Sequence, residues 1–577
     1  MKRLLIATAV LVAAVAVFVA FTLPPRQIVL STSPPDGTIP GILHIHSARS
    51  DGRGTVDDIA SAAARAGLKF IVVTDHADAT RTPDAPVYRA GVLCLDAAEI
   101  STAGGHYVAV DMPAAPYPLG GEARDVVDDV RRLGGFGIVA HPDSPKPELR
   151  WREWAAPFDA IEIVNLDTSW RRRMASSWRT RFGLAERLGS YPIRPVESIA
   201  SLIQPTGVLD RWEEVARRRH LVTIAGADAH AQIAWRSGDP DVARLSLPMP
   251  SYEASFRAMS VHVRPERALT GVASTDAAIV IRAIRAGHLY TAVDGAATPP
   301  SFDFTATNTL GMVREGDQLA SGGPVTLRVR SNAPAEFTTT VWNGTTVLSG
   351  DHHEPDFFVT APDGPGVYWV EIRATGRLPE VPWVTSNPIY VRVPEFSPRP
   401  PQPVRPPPTS AQPLFDGRTD ANWRVEHDPL SLAAVDVATS VTAATDATTG
   451  VSESSLRLRF GLAGGTAARQ YAALVVDLPA GAAPNDRLGF TVRAERPMRL
   501  SVQLRTDSGR WQRSVYVATF NQPRTVYFDD LAPALGQPGS DKPSPADARS
   551  VLFVVDITNT KPGTSGRVWI TNPALQR

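Results

Sequence analysis

Six of the chain's 12 histidines stand beside carboxylates at the ends of short apolar runs. His44 and His46 flank Ile45, and Asp51-Gly52 follows a few residues later. Asp75-His76 comes directly after Phe70-Ile71-Val72-Val73-Thr74, and Glu99 shortly precedes Gly105-His106. His141-Pro142 closes Gly137-Ile138-Val139-Ala140, and Asp228-Ala229-His230 closes the stretch from Leu221 to Gly226. Taken singly, each of these is an ordinary core or surface residue. Together they are six imidazoles and three carboxylates, and burying such charge unpaired is costly unless cations compensate it. Imidazole mixed with carboxylate is a donor set for zinc, iron or manganese more than for calcium or magnesium.

Something must bring these residues to one place. From Gly41 to about Pro300, β-branched runs alternate with Ala- and Arg-rich helical stretches, the pattern of a parallel sheet or barrel. Strands are expected at 41–46, 70–74, 91–96, 106–110, 137–140, 161–164 and 221–224, and helices at 55–66 and 123–133. Thr55, with Asp57 and Asp58 in the first turn, suits a helix start. Side chains alternate along a strand, so His44 and His46 share one side. Ligands at the C-terminal ends of parallel strands converge on one mouth of such a barrel. Residues 143–152 and 167–210 read as loops that would shape specificity.

The ordered set His44-x-His46 with Asp51-Gly52, Thr74-Asp75-His76, Glu99, Gly105-His106, His141-Pro142 and Asp228-x-His230 resembles the PHP (polymerase and histidinol phosphatase) superfamily over about Gly41 to Pro300. The resemblance implies an α/β fold, a distorted (β/α)7 barrel, carrying two or three divalent metal ions (Mn, Fe or Zn). It implies that His44, His46, Glu99 and Asp228 hold one metal, that Glu99 bridges to a second held by His106 and His141, and that Asp51, His76 and His230 hold a third. Asp75 is a candidate for orienting a ligand imidazole. Glu162 and Asn165 are read as such supporting residues or substrate contacts, or else as ordinary strand-end polar groups. The implied chemistry is hydrolysis of a phosphomonoester or of a nucleotide or oligonucleotide phosphodiester, in the manner of a 5′-3′ exonuclease, with water activated between two cations. Extracytoplasmic relatives of carbaryl-hydrolase type supply an alternative, hydrolysis of a carbamate or carboxylic ester. A non-catalytic cell-envelope binding protein is a third reading.

At 577 residues the chain must form several domains. Zero formal net charge gives no global argument for nucleic-acid binding. Lys2-Arg3 followed by the apolar run from Leu4 to Pro25 reads as a membrane-spanning signal anchor or a signal peptide, which would place the rest outside the cytoplasm. A spacer (26–40) would lead into the barrel (41–300). Alternating segments then predict an Ig-like β-sandwich (301–394), a Pro-rich linker (395–414) and a second, jelly-roll sandwich (415–577) resembling galactose- or carbohydrate-binding domains. Trp511, Tyr516 and Tyr527 are candidate sugar-stacking residues or core aromatics, and Trp151, Trp154 and Trp170 candidate pocket walls or packing. Arg171-Arg172-Arg173 and Arg217-Arg218-Arg219 read as solvated helix faces rather than phosphate sites. The single cysteine, Cys94, excludes an internal disulfide and reads as a buried, inert thiol.

Overall fold

A computed structural model describes residues 22–31, 36–236, 243–362, 364–376, 381–393, 405–418, 420–442, 451–465, 469–534 and 542–577, with isolated positions before residue 22. Most of the expected membrane segment, and residues 395–404 of the expected linker, lie outside the described residues. Among the described residues no helix is long and apolar enough to cross a membrane.

The first of two compact units comprises residues 1–77, 82–113 and 127–402. Its centre is a closed ring of strands: β1 (Ile39–Ile45), β2 (Phe70–Val73), β3 (Val92–Asp96) running on through Ala97 into β4 (Ala98–Thr102), β5 (Gly105–Val110), β6 (Phe136–Val139), β7 (Ala160–Asn165) and β8 (Val222–Ala229). Parallel ladders join β1 to β2, β2 to β3, β6 to β7, β7 to β8, and β8 back to β1. β5 alone runs against its neighbours, antiparallel to β4 and β6. Counting β3–β4 as one rung, the ring has seven, the number that the family resemblance implies.

Burial explains why these runs are strands. All four residues of β2 are buried, as expected of a rung covered on both sides. The Phe70 ring lies so close to Gly41 on β1 that a Cβ there would stand 2.1 Å from it. Helix α1 (Val56–Arg65) starts where the capping residues placed it. Thr55 accepts from the Asp58 backbone N–H while the Asp58 side chain accepts from that of Thr55. Helix α2 (Ala123–Arg132) follows β5.

The stretch 167–210, read as loop, is mostly helical: α3 (Leu166–Ala175), α4 (Trp178–Ser190) and α5 (Pro195–Ala200), with α6 (Leu209–Arg218) behind them. Asn165 caps α3, accepting from Thr168 N–H at 2.8 Å, and Ser177 caps α4.

Beyond β8 the sheet continues sideways. β9 (Ser260–Val263) pairs antiparallel with β1 and with β10 (Leu289–Ala292). β10 then pairs with Pro382–Ser386, a strand of the sandwich that follows. The barrel and this sandwich therefore share a continuous hydrogen-bonded sheet, and the sandwich's second sheet has four strands.

The second unit comprises residues 78–81, 114–126 and 403–577. It is built on two six-stranded sheets closing over a core that includes Leu456, Leu488, Phe490, Leu500, Phe553 and Ile570. Ala411–Pro413, at the end of the expected linker, pairs with the last strand.

Candidate metal centre

The strand ends of the ring bring all nine expected ligand residues together. Their ligand atoms form overlapping groups: His44, His46 and Asp228; His44, Glu99 and His141; His76, Glu99 and His106; and His46, Asp51, His76 and His230. Three of the strand-end residues, His44, His141 and Asp228, have left-handed backbone at φ 62, 31 and 48°. Such conformations are rare outside glycine and cost free energy, so surrounding structure must hold them in place.

Glu99 stands at the middle, 1% exposed. Its Oε2 lies 3.3 Å from His44 Nε2 and 3.2 Å from His46 Nε2. Its Oε1 lies 2.8 Å from His106 Nδ1 and 2.9 Å from His141 Nε2. Asp228 Oδ1 closes the first group at 3.5 Å from His44 Nε2 and 3.3 Å from His46 Nε2. Asp51 Oδ1 lies 3.3 Å from His230 Nε2 and 3.8 Å from His76 Nε2.

These residues fit divalent cations. Among the described residues His44 Nε2 and His46 Nε2 are buried without a hydrogen-bond partner, a state that normally demands an explanation. Donors bonded tetrahedrally to one cation at zinc-like bond lengths stand about 3.3–3.6 Å apart. That matches the separations in the His44–His46–Glu99–Asp228 group and is long for hydrogen bonds. The far ring nitrogens are engaged as metal-ligating histidines require. His44 Nδ1 donates to Glu162 Oε1 at 2.6 Å, His141 Nδ1 to the Leu149 carbonyl at 3.1 Å and His230 Nδ1 to the Asp228 carbonyl at 2.9 Å. Each leaves an Nε2 lone pair turned to the cluster.

Charge points the same way. Burial opposes protonation of His44, yet the carboxylates of Glu162, Asp228 and Glu99 outweigh it and raise its pKa well above the ordinary value. His46 is likewise raised, to about 10, against its burial, by Asp228 and Glu99. Burial alone would raise Glu99 and Asp228, but the surrounding imidazoles hold both well below the carboxylate range. The cluster thus calls for positive charge, which divalent cations supply.

Glu162 is the main supporting carboxylate. Besides His44 it accepts from the His141 backbone N–H at 2.7 Å and from Asn165 Nδ2 at 2.8 Å. Gly226 on β8 makes room for it: a Cβ there would stand 1.9 Å from Glu162 Oε1. Asp75 touches no imidazole in its hydrogen bonds. It accepts from Ser47 N–H and Oγ at 2.7 and 2.6 Å and from Ser50 Oγ at 2.7 Å, pinning the turn between His46 and Asp51. Ser50 Oγ in turn lies 3.4 Å from His46 Nδ1. Ser47 and Ser50 escaped sequence reading, since a serine in a turn carries no distinguishing signal.

The arginine runs divide. Arg217 and Arg218 pair with Glu213 and Glu214 on their own exposed helix face. Arg172 reaches Asp143, and Arg173 the Leu202 and Ser201 carbonyls. Arg171 differs. It pairs with Asp167 on its own helix, and although burial works against its charge, Asp167 first and then Asp228 and Asp51 raise its pKa, which sets its guanidinium in the field of the cluster. Trp151 is buried packing, stacked on Tyr107 at 5.7 Å. Cys94 is buried, and burial pushes its thiol up to about 11.

No family model and no curated protein matches the chain. Among solved structures it is similar to a two-domain protein from Bacteroides vulgatus containing a predicted PHP-like metal-dependent phosphoesterase, at 14% identity over 63% of this chain and 99% of that one, with a TM-score of 0.29. It is also similar to a family 11 carbohydrate-binding module from Clostridium thermocellum, at 17% identity over 29% of this chain and 94% of that one, with a TM-score of 0.21.

Proposed function

We propose that the chain is a metal-dependent hydrolase of phosphoesters, either a phosphomonoester or a nucleotide-type phosphodiester. The observation that carries this reading is the division of Glu99, one oxygen facing His44, His46 and His76, the other His106 and His141. A carboxylate so placed suits a pair of cations. His44, His46, Glu99 and Asp228 would hold one, Glu99, His106 and His141 a second, and Asp51, His76 and His230 a third. When bound, such ions acidify water and neutralise charge gathering on the phosphoryl oxygens.

The chain's own residues then have distinct tasks. Glu162 fixes the tautomer and orientation of His44. Asp75 holds the turn that presents His46 and Asp51. Arg171, although paired with Asp167 on its own helix, adds positive charge in the field of Asp228 and Asp51 that would favour an anionic phosphoester over an uncharged carbamate. Cys94 takes no part, its thiol being buried and held protonated.

The test pairs metal content with turnover. Wild-type chain, reconstituted with manganese, iron or zinc, should retain two or three ions and hydrolyse a phosphomonoester or a phosphodiester. Glu99→Gln should lose at least one ion and about 10³-fold or more of kcat. Hydrolysis confined to an aryl carbamate would leave the metal centre standing and overturn the substrate class. Failure to retain any metal would overturn catalysis and favour a binding protein.

A further inference from the structure

The second unit has a face of its own that the proposed hydrolysis does not use. Four strands of one of its sheets are β11 (Leu432–Thr442), β12 (Val451–Gly461), β13 (Arg487–Ala494) and β14 (Ser565–Gln576). They lie in the order β11-β12-β14-β13. Residues directly opposite on neighbouring strands project to the same side. The register sets Asp436 opposite Arg457, Arg457 opposite Trp569, and Trp569 opposite Arg493. Two residues along, Arg459 lies opposite Arg567, and the Glu495 N–H donates to the Arg567 carbonyl. The alternate residues Leu456, Leu458, Val568, Ile570 and Val492 are fully buried in the core. The outer face is therefore set with four guanidiniums, two carboxylates and one indole.

Two of the four guanidiniums share one local carboxylate, Asp436. Arg457 makes a two-pronged pair with Asp436 at 2.8 and 2.8 Å. Arg459, 53% exposed, lies 3.4 Å from the same carboxylate. Among the described residues Arg493 and Arg567 have no ion pair. The Arg493 guanidinium stacks 3.7 Å from the centre of the Trp569 ring, a contact that orders it while leaving its in-plane N–H donors unspent. Of the aromatics singled out from sequence, Trp511 is 6% exposed and Tyr527 lies under Arg405 and Arg487.

We propose that this face binds a polysaccharide bearing carboxylates, a polyuronate. Carboxylate is the planar anion that guanidinium donors grip in pairs. Adjacent strands stand about 4.8 Å apart, roughly the length of one pyranose unit, so a polyuronate crossing the sheet meets arginines on β12, β14 and β13 in succession. Single-stranded nucleic acid fits less well, because such sites stack successive bases on several aromatic side chains. This face has one indole, already covered by Arg493.

The experiment is affinity electrophoresis of the full chain in gels containing polygalacturonate, a single-stranded oligonucleotide of matched charge concentration, or the neutral polysaccharide dextran. Polygalacturonate should retard the chain, added salt should relieve the retardation, and dextran should have no effect. Arg493→Gln/Arg567→Gln should weaken polygalacturonate binding about tenfold or more, with phosphoester turnover unchanged. Arg459→Gln and Arg567→Gln alone, at exposed positions, should each weaken it by a smaller factor and keep the test decisive if the double variant folds poorly. Undiminished retardation of folded variants would overturn the proposal. So would equal retardation by dextran, and oligonucleotide binding as tight as polygalacturonate binding would make the face a nucleic-acid site instead.

Discussion

Glu162 and Gly226 belong to one device. The carboxylate that orients His44 has space only because β8 carries no side chain where it lies. Glu162→Gln should lower metal affinity about 10–100-fold, with activity recovering at high metal concentration. Gly226→Ala should do the same without changing any polar group, and metal titration of the two variants checks both. Arg171→Gln should raise KM for an anionic phosphoester several-fold or more and leave turnover of an uncharged ester nearly unchanged. Arg171→Lys should recover part of the loss, as expected when charge rather than the planar fork is used. The clustering of the nine donor-bearing residues was legible because so many at strand ends is improbable packing. Arg171 was not, because Arg171, Arg172 and Arg173 are the same residue type in sequence. Only the direction each takes from α3 separates a cation beside the cluster from two that bind Asp143 and backbone carbonyls.

Among the elements, the rungs of the ring were readable where burial on both sides makes a short apolar run, as in β2. The tight β1–β2 packing gives a stability prediction. Gly41→Ala would push a methyl into the Phe70 ring, and overpacking of this kind costs about 1–3 kcal/mol. Thermal unfolding should show a lower midpoint for the transition of the first unit. α3 and α4 fall in a stretch whose Arg-rich, weakly apolar sequence lacks a clear apolar stripe, so within it only Arg171–Arg173 reads as helical. Their stop and start signals were nevertheless present in Asn165 and Ser177. β9 and β10 have four residues each, so their membership in the sheet depends on distant partners that no local pattern reveals.

The whole molecule divides into two units, and heating should resolve two transitions. The second unit carries its own pH dependence. Glu122 pairs with Arg513 at 3.0 Å, while Asp125 pairs with Arg513 at 2.6 Å and with Arg499 at 3.0 Å. Burial first, and then the neighbouring Asp125, raise Glu122 from 4.5 to about 7, against the pull of Arg513. The folded state thus holds this proton more tightly than the unfolded state. Its stabilising share is full below about pH 4.5 and drains away as pH rises through about 7. The second transition should accordingly fall between about pH 5 and pH 8, and Glu122→Gln should flatten that slope. In the first unit, β10 is hydrogen-bonded on one side to β9 and on the other to Pro382–Ser386. A chain truncated after Pro300 would strip β10 of one partner and expose a row of unsatisfied backbone amides and carbonyls. Open edges of that kind recruit other chains, so the barrel is not a transplantable module: shortened versions should aggregate unless the sandwich travels with them.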